Sequence, residues 1–175
     1  ACLQAALRAD CDVIVTVDGD GEISAAELQK LLARLDTECA HLVEGCRRQR
    51  VDPAFRKVVS LIARVLIVIL GGGAMWSAKD ANSPVRAYKR DALIEVLSYL
   101  HSDSMTPNLL VSMATRKLEM RIEQVDITCR KFSTERGQGT TWRARFENVP
   151  SRRFLLFCVS AAVDLFRFGG RLRRL

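Results

Sequence analysis

The stretch that most constrains this chain is CDVIVTVDGDGEISAAE, residues 11–27. Val13 to Val17 is an unbroken run of apolar or β-branched residues, which favours a buried strand over a helix. The run opens directly onto Asp18-Gly19-Asp20-Gly21-Glu22, acids spaced by glycines. Ser24 then stands where a helix cap is expected, ahead of an apolar series at Ala25, Ala26, Leu28, Leu31, Leu32 and Leu35. A strand ending in D-x-D carries carboxylates to the rim of a sheet, where open α/β folds bind ligands. Magnesium or manganese suits such oxygens and can bridge from them to a substrate's phosphates.

The same letters also fit the second half of an EF-hand calcium loop. Gly21 is then the turn glycine, Ile23 the central apolar residue and Glu27 the bidentate ligand at the final position. That register puts Thr16 where an aspartate is expected and asks for a helix over strand-like residues. The alternative is therefore a calcium-binding, membrane-associated protein. The two readings part on whether a strand or a helix precedes Thr16.

A chain of 175 residues, 49% hydrophobic and 27% charged, is long enough for one domain with a core and is not of disordered composition. Its net charge of +7 points to an anionic partner, whether phosphate, nucleic acid or an anionic membrane surface. The six cysteines show no CxxC pair and no zinc-ligand spacing, so they read as reduced thiols in a cytosolic setting. The opening ACLQAALRAD is helical and there is no signal peptide, so the chain reads as a fragment.

After a short helix at 2–9, the strand at 12–17 and the helix at 24–35, residues 40–45 read as a second strand closed by Gly45. This alternation predicts a parallel pair with a right-handed crossover. The basic cluster Cys46-Arg47-Arg48-Gln49-Arg50 follows, then a helix begun by Asp52-Pro53 with an apolar body over 55–70. Residues 58–76 approach the length of a membrane span, about 20 apolar residues, but Arg64 and the glycines at 71–73 interrupt them. A helix lying at a membrane interface, or an ordinary core helix, fits equally. A polar loop over 77–84, a strand at 85–89, helices at 90–100 and 106–117 and a half-buried strand at 120–127 come next. Residues 130–145 read as a basic loop. The final helix, 151–168, is amphipathic, ended by Gly169-Gly170 and flanked by arginines.

The segments ADCDVIVTVDGDGEISAAELQKLLARLD, AHLVEGCRR and DANSPVRAYKRDAL, with the tail KLEMRIEQVDITCRKFSTERGQGTTWR, occur in an order that resembles the family-2 glycosyltransferases of the GT-A fold. The nearest resemblance is to those moving a sugar from a nucleotide donor to a polyprenyl (dolichyl-type) phosphate. It implies an α/β, Rossmann-type mixed sheet flanked by helices and incomplete at the N-terminus. Residues 1–150 would form the partial transferase domain, and 151–175 a basic membrane-interface helix.

The resemblance further implies that Asp18 and Asp20 hold Mg²⁺ or Mn²⁺ on the donor's diphosphate, with Glu22 as a third ligand where the family usually has Gln. Arg47 and Arg48 would face an anionic phosphate, for which the planar guanidinium fork is well suited. Asp80, Ser83 and Arg86 would line the acceptor side, and Arg130 and Arg136 would close over the donor or lipid phosphate. Arg47 and Asp80 are the candidate catalytic pair. A phosphate acceptor is already ionised and needs no base, so Asp80 serves as a positioning group. The implied partners are a GDP- or UDP-sugar, a polyprenyl-phosphate lipid and the cytoplasmic face of a membrane, not nucleic acid. Two departures stand out: Pro84-Val85 replaces the family's Gly-Phe, and the family's N-terminal Pro-x-x-Asn-Glu portion has no counterpart. A non-catalytic remnant of the fold is the reading that follows if that portion never existed.

Overall fold

A computed structural model describes residues 2–47, 54–71, 77–100, 104, 106–129 and 152–172. The elements run α1 (Cys2–Ala6), β1 (Val13–Thr16), α2 (Ala25–Thr37), β2 (Leu42–Arg47), α3 (Ala54–Gly71), β3 (Arg86–Lys89), α4 (Arg90–Tyr99), α5 (Pro107–Lys117), β4 (Ile122–Ile127) and α6 (Arg152–Leu172). The strands form one four-stranded sheet in the order β1-β3-β2-β4. β3 runs antiparallel to both β1 and β2, and β4 is parallel to β2.

The expected side-by-side pairing of the first two strands is therefore corrected. β1 and β2 point the same way, but β3 lies between them. Burial explains the order. Arg86, Ala87 and Tyr88 of β3 are all buried, so both faces of that strand need cover. In β1 only Ile14 is buried, and among the described residues β1 is an edge strand instead of the buried one its composition suggested.

Side-chain alternation divides the core in two. Val43, Val85, Ala87 and Ile127 face α2, which offers Leu31 and Leu35 from a single helical stripe. Leu42, Ile14 and Tyr88 face the other way, into a larger core filled from α3, α4, α5 and α6 by side chains such as Ile67, Leu93, Leu110 and Phe168. α6 thus shares the main core through Leu165 and Phe168.

Three local expectations need revision. Ser24 occupies the N-cap of α2, but its hydroxyl makes no capping bond; its carbonyl instead accepts the Glu27 amide at 3.0 Å. Gly169-Gly170 do not end the last helix, which continues to Leu172. A Cβ on Gly169 would lie 3.0 Å from the Leu70 Cβ, so that glycine lets α6 approach α3. Gly45 likewise does not close β2, which runs on to Arg47. Its own Cβ would lie 2.9 Å from Ile127 Cδ1 and 3.2 Å from the Val85 carbonyl oxygen, so here glycine lets β2 fit between β3 and β4. Gly45→Ala is expected to cost about 1–3 kcal/mol through overpacking. The loss should appear as a lower urea midpoint at unchanged slope.

Candidate active site

Because β1, β2 and β4 share one direction, their carboxyl ends gather at a single rim. The antiparallel β3 starts from that rim, so the loop leading into it, residues 77–83, lies there as well. The residues following β1 are Asp18-Gly19-Asp20-Gly21-Glu22, β2 ends on Arg47, and Cys129 follows β4. Three stretches far apart in sequence thus converge at one end of the sheet.

The centre of the site is the pair Arg47–Asp80. Arg47 Nε donates to Asp80 Oδ2 at 2.7 Å and Nη2 donates to Oδ1 at 3.1 Å, a bidentate fork. Nη2 also reaches the Asn82 carbonyl oxygen at 3.3 Å. Both side chains are only partly covered, 16% and 19% exposed, so the pair remains accessible from the rim. Burial pulls the Arg47 guanidinium down, but its bond to Asp80 and the charges of Asp80, Cys129 and Asp18 outweigh this, and the net shift is upward. The Cys129 thiol is pushed up first by burial; Arg47 opposes this, while Glu22, Asp80 and Asp20 add to it. These couplings place the acids after β1 within electrostatic reach of the Arg47–Asp80 pair.

The D-G-D-G turn is exposed. Asp20 Oδ1 accepts the Glu22 amide at 3.0 Å, and Gly21 adopts φ 76°, a left-handed conformation that favours glycine. Among the described residues no three His, Cys, Asp or Glu side chains gather closely enough to hold a metal ion, so Glu22 is not drawn into a cage with Asp18 and Asp20. The donor set still fits a hard cation, because magnesium usually takes one or two carboxylates and fills its shell from substrate phosphates and water.

The EF-hand alternative is overturned. A strand, β1, stands where the entering helix would be, and Glu27 sits in the first turn of α2, mostly buried and paired with Lys30 Nζ at 2.8 Å.

Two of the expected acceptor-side residues turn inward. Ser83 is buried, and its hydroxyl accepts the Val85 amide at 3.2 Å. Arg86 is fully buried beside Glu44, with Nη2 3.5 Å from Oε1. Arg48, Arg130 and Arg136 lie outside the described residues. Sequence reasoning missed Glu44, Ser112, Arg116 and Gln124. Glu44 left one legible trace, an acid inside the apolar run of β2. Gln124 stitches the loop to β4, its Oε1 accepting the Lys79 amide at 3.0 Å and its Nε2 donating to the Ser77 carbonyl at 2.7 Å.

Comparison with known proteins shows the fold. No family model matches the chain. It is 28% identical over 119 residues to the undecaprenyl-phosphate 4-deoxy-4-formamido-L-arabinose transferase of Proteus mirabilis, covering 68% of this chain and 35% of the relative. The Klebsiella pneumoniae protein of the same name is 31% identical over 111 residues, covering 63% and 33%. The crystal structure of glucosyl-3-phosphoglycerate synthase from Mycobacterium tuberculosis in complex with uridine diphosphate superimposes with a TM-score of 0.67 at 19% identity, over 97% of this chain and 53% of that one. The chain has the GT-A glycosyltransferase fold, and the sequence relatives it matches are named undecaprenyl-phosphate 4-deoxy-4-formamido-L-arabinose transferases. It spans about a third of the length of the curated relatives it matches. The GT-A sheet explains why the acidic turn and the Arg47–Asp80 ion pair occupy one rim, since that is where its strands of common direction end.

Cys46, on the opposite face of β2 from Arg47, is pushed up to about 11, chiefly by burial and then by Glu44. It should stay a thiol at neutral pH. Iodoacetamide at pH 8 is expected to label exposed Cys2 and Cys39 but spare Cys46 until the chain unfolds, as read by peptide mass mapping. Because the folded value lies above the ordinary 9.0, the stability tied to this thiol is full below pH 9 and is lost as pH rises through about 11.

Proposed function

We propose that this chain carries the phosphate-handling rim of a glycosyltransferase that moves a sugar from a nucleoside-diphosphate donor to a polyprenyl-phosphate lipid. The observation that carries the reading is the convergence of Asp18, Asp20 and the Arg47–Asp80 fork at one end of a GT-A sheet. The relatives named for undecaprenyl phosphate support the lipid class, and the neighbour solved with uridine diphosphate supports a nucleotide donor.

In this reaction a phosphate oxygen of the lipid attacks the anomeric carbon of the sugar. The bond from that carbon to the donor's diphosphate breaks, and the nucleoside diphosphate leaves with the bonding electron pair. Direct displacement inverts the anomeric configuration. Asp18 and Asp20 would hold a divalent cation, which would supply neutralisation of the charge that grows on the diphosphate. Arg47 offers its remaining N–H donors to an acceptor phosphate oxygen, and Asp80 keeps the guanidinium plane aimed. No general base is required of Asp80, which suits a carboxylate already committed to a guanidinium.

Surface apolarity supports docking at a membrane. α3 exposes Leu61, Ile62, Val65 and Ile69, and α6 exposes Leu155, Leu156, Val159, Val163 and Phe166. Each set recurs at helical spacing, and exposed Arg64, Arg167 and Arg171 lie on the same helices. No described helix is long and apolar enough to cross a membrane, so the helices would lie in the headgroup layer.

Two experiments test this reading. With Mn²⁺, UDP- or GDP-sugars and undecaprenyl phosphate in vesicles, Asp20→Asn and Arg47→Ala are each expected to lower transfer by about a hundredfold. Transfer at the unaltered rate in both variants would refute the assignment. Val159→Glu with Phe166→Glu should weaken co-sedimentation with anionic vesicles by at least roughly tenfold, since each buried apolar side chain is worth about 1.5–3 kcal/mol.

A further inference from the structure

Below the rim lies a buried ionic cluster that neither the fold nor the proposed reaction demands. Glu44 of β2 is fully buried, as is Arg86 of β3, and Arg116 near the end of α5 is 5% exposed. Arg116 grips Glu44 with a fork, Nη2 to Oε2 at 2.6 Å and Nη1 to Oε1 at 3.1 Å. Two guanidinium groups thus share one carboxylate, leaving excess positive charge in the interior. Isolated buried charge is unfavourable, so oxygens gather around the remaining N–H groups, although Arg86 Nε has no partner among the described residues.

Some of those oxygens belong to α5, where the Asn108 carbonyl accepts Arg86 Nη1 at 2.9 Å and the Ser112 carbonyl accepts Arg116 Nη1 at 3.3 Å; the others belong to the loop that carries Asp80. Arg86 Nη2 donates to the Ala81 carbonyl at 2.9 Å, and Ser112 Oγ donates to the same carbonyl at 2.7 Å. Ser112 in turn accepts from Arg86 Nη2 at 2.6 Å. A hydroxyl has one proton to give, so Ser112 relays Arg86 to Ala81, while Glu44 Oε1, 3.2 Å away, is satisfied by Arg116. Arg116 Nε also reaches Ser77 Oγ at 3.3 Å, at the other end of the loop. The Ala81 carbonyl is one peptide beyond Asp80, and the Asp80 carbonyl accepts the Ser83 amide at 3.0 Å.

We propose that Glu44, Arg86, Ser112 and Arg116 form the positioning element of the transfer site, fixing the Ala81 carbonyl so that Asp80 is held on Arg47. Glu44 and Arg47 sit on opposite faces of β2; Arg47 holds the loop directly, and Glu44 holds it through Arg86, Ser112 and Arg116. The residues of the cluster are positioning residues; none touches substrate. The inference rests on the proposed transfer only for its effect on turnover, because the clamp itself can be read without any substrate.

The test uses the whole chain and nuclear magnetic resonance. Ser112→Ala removes the relay without changing buried charge, and Glu44→Gln, nearly isosteric, removes the charge. In both, solvent exchange of the Arg47 Nε proton and the Ser83 amide is expected to quicken by roughly tenfold or more, while the Gly45 amide, bonded to Val85 in the sheet, keeps its rate. In an Asp80→Asn background, Ser112→Ala should add little further exchange at Arg47 Nε, because the bond it supports is already weakened. Exchange at Arg47 and Ser83 within about twofold of wild type would overturn the proposal. So would an equal rise at Gly45, which signals general loosening. Turnover separates the two readings: a loosened clamp without any transfer by wild type rejects the transferase, not the clamp. Intact transfer by Ser112→Ala, with the loop unchanged, rejects the clamp alone.

Discussion

The carboxylate of Glu44 is the constraint on which the rim depends. An acid buried in the centre of a sheet is tolerated only if cations reach it, and two arginines do so from β3 and α5. Their excess charge then has to be met by backbone carbonyls, which is how an interior ionic cluster comes to organise a surface loop. Replacing the whole cluster by apolar side chains of similar volume need not weaken the fold, since buried ion pairs seldom add net stability. What such a replacement removes is the directional hold on the Ala81 carbonyl.

Both faces of β2 take part for a geometric reason. Alternate side chains of a strand point to opposite sides, so Glu44 and Arg47, three positions apart, cannot share a face. One enters the larger core and the other remains at the rim, paired with Asp80. The loop over 77–83 passes the carboxyl end of β2 and is met from both sides. Gly45 lies between these two residues, and its missing side chain lets the neighbouring strands come close enough for this.

Much of the site was legible because its elements are local. A β-branched run followed by D-G-D-G reads as strand and turn without knowledge of anything else, and the observed β1 and left-handed Gly21 agree. The choice between EF-hand and strand-end carboxylates hung on the residues before Thr16, and β-branching there was the correct guide. The inward turn of Ser83 and Arg86 was not legible, because nothing nearby in sequence says which face of β3 is covered. Glu44 read as one more letter in an apolar strand, since its partner Arg116 lies 72 residues away.

The sequence by itself determined the order of strands and helices, the acidic turn, the basic strand end and the resemblance to family-2 glycosyltransferases, because periodicity, turn chemistry and motif order are properties of short windows. Only the tertiary structure decided that β3 separates β1 from β2, that Asp80 closes on Arg47 across 33 residues, and that the last helix continues through its glycines to pack on Leu70. Those outcomes depend on which faces must be buried and which charges must be paired, and both are settled by contacts between distant parts of the chain.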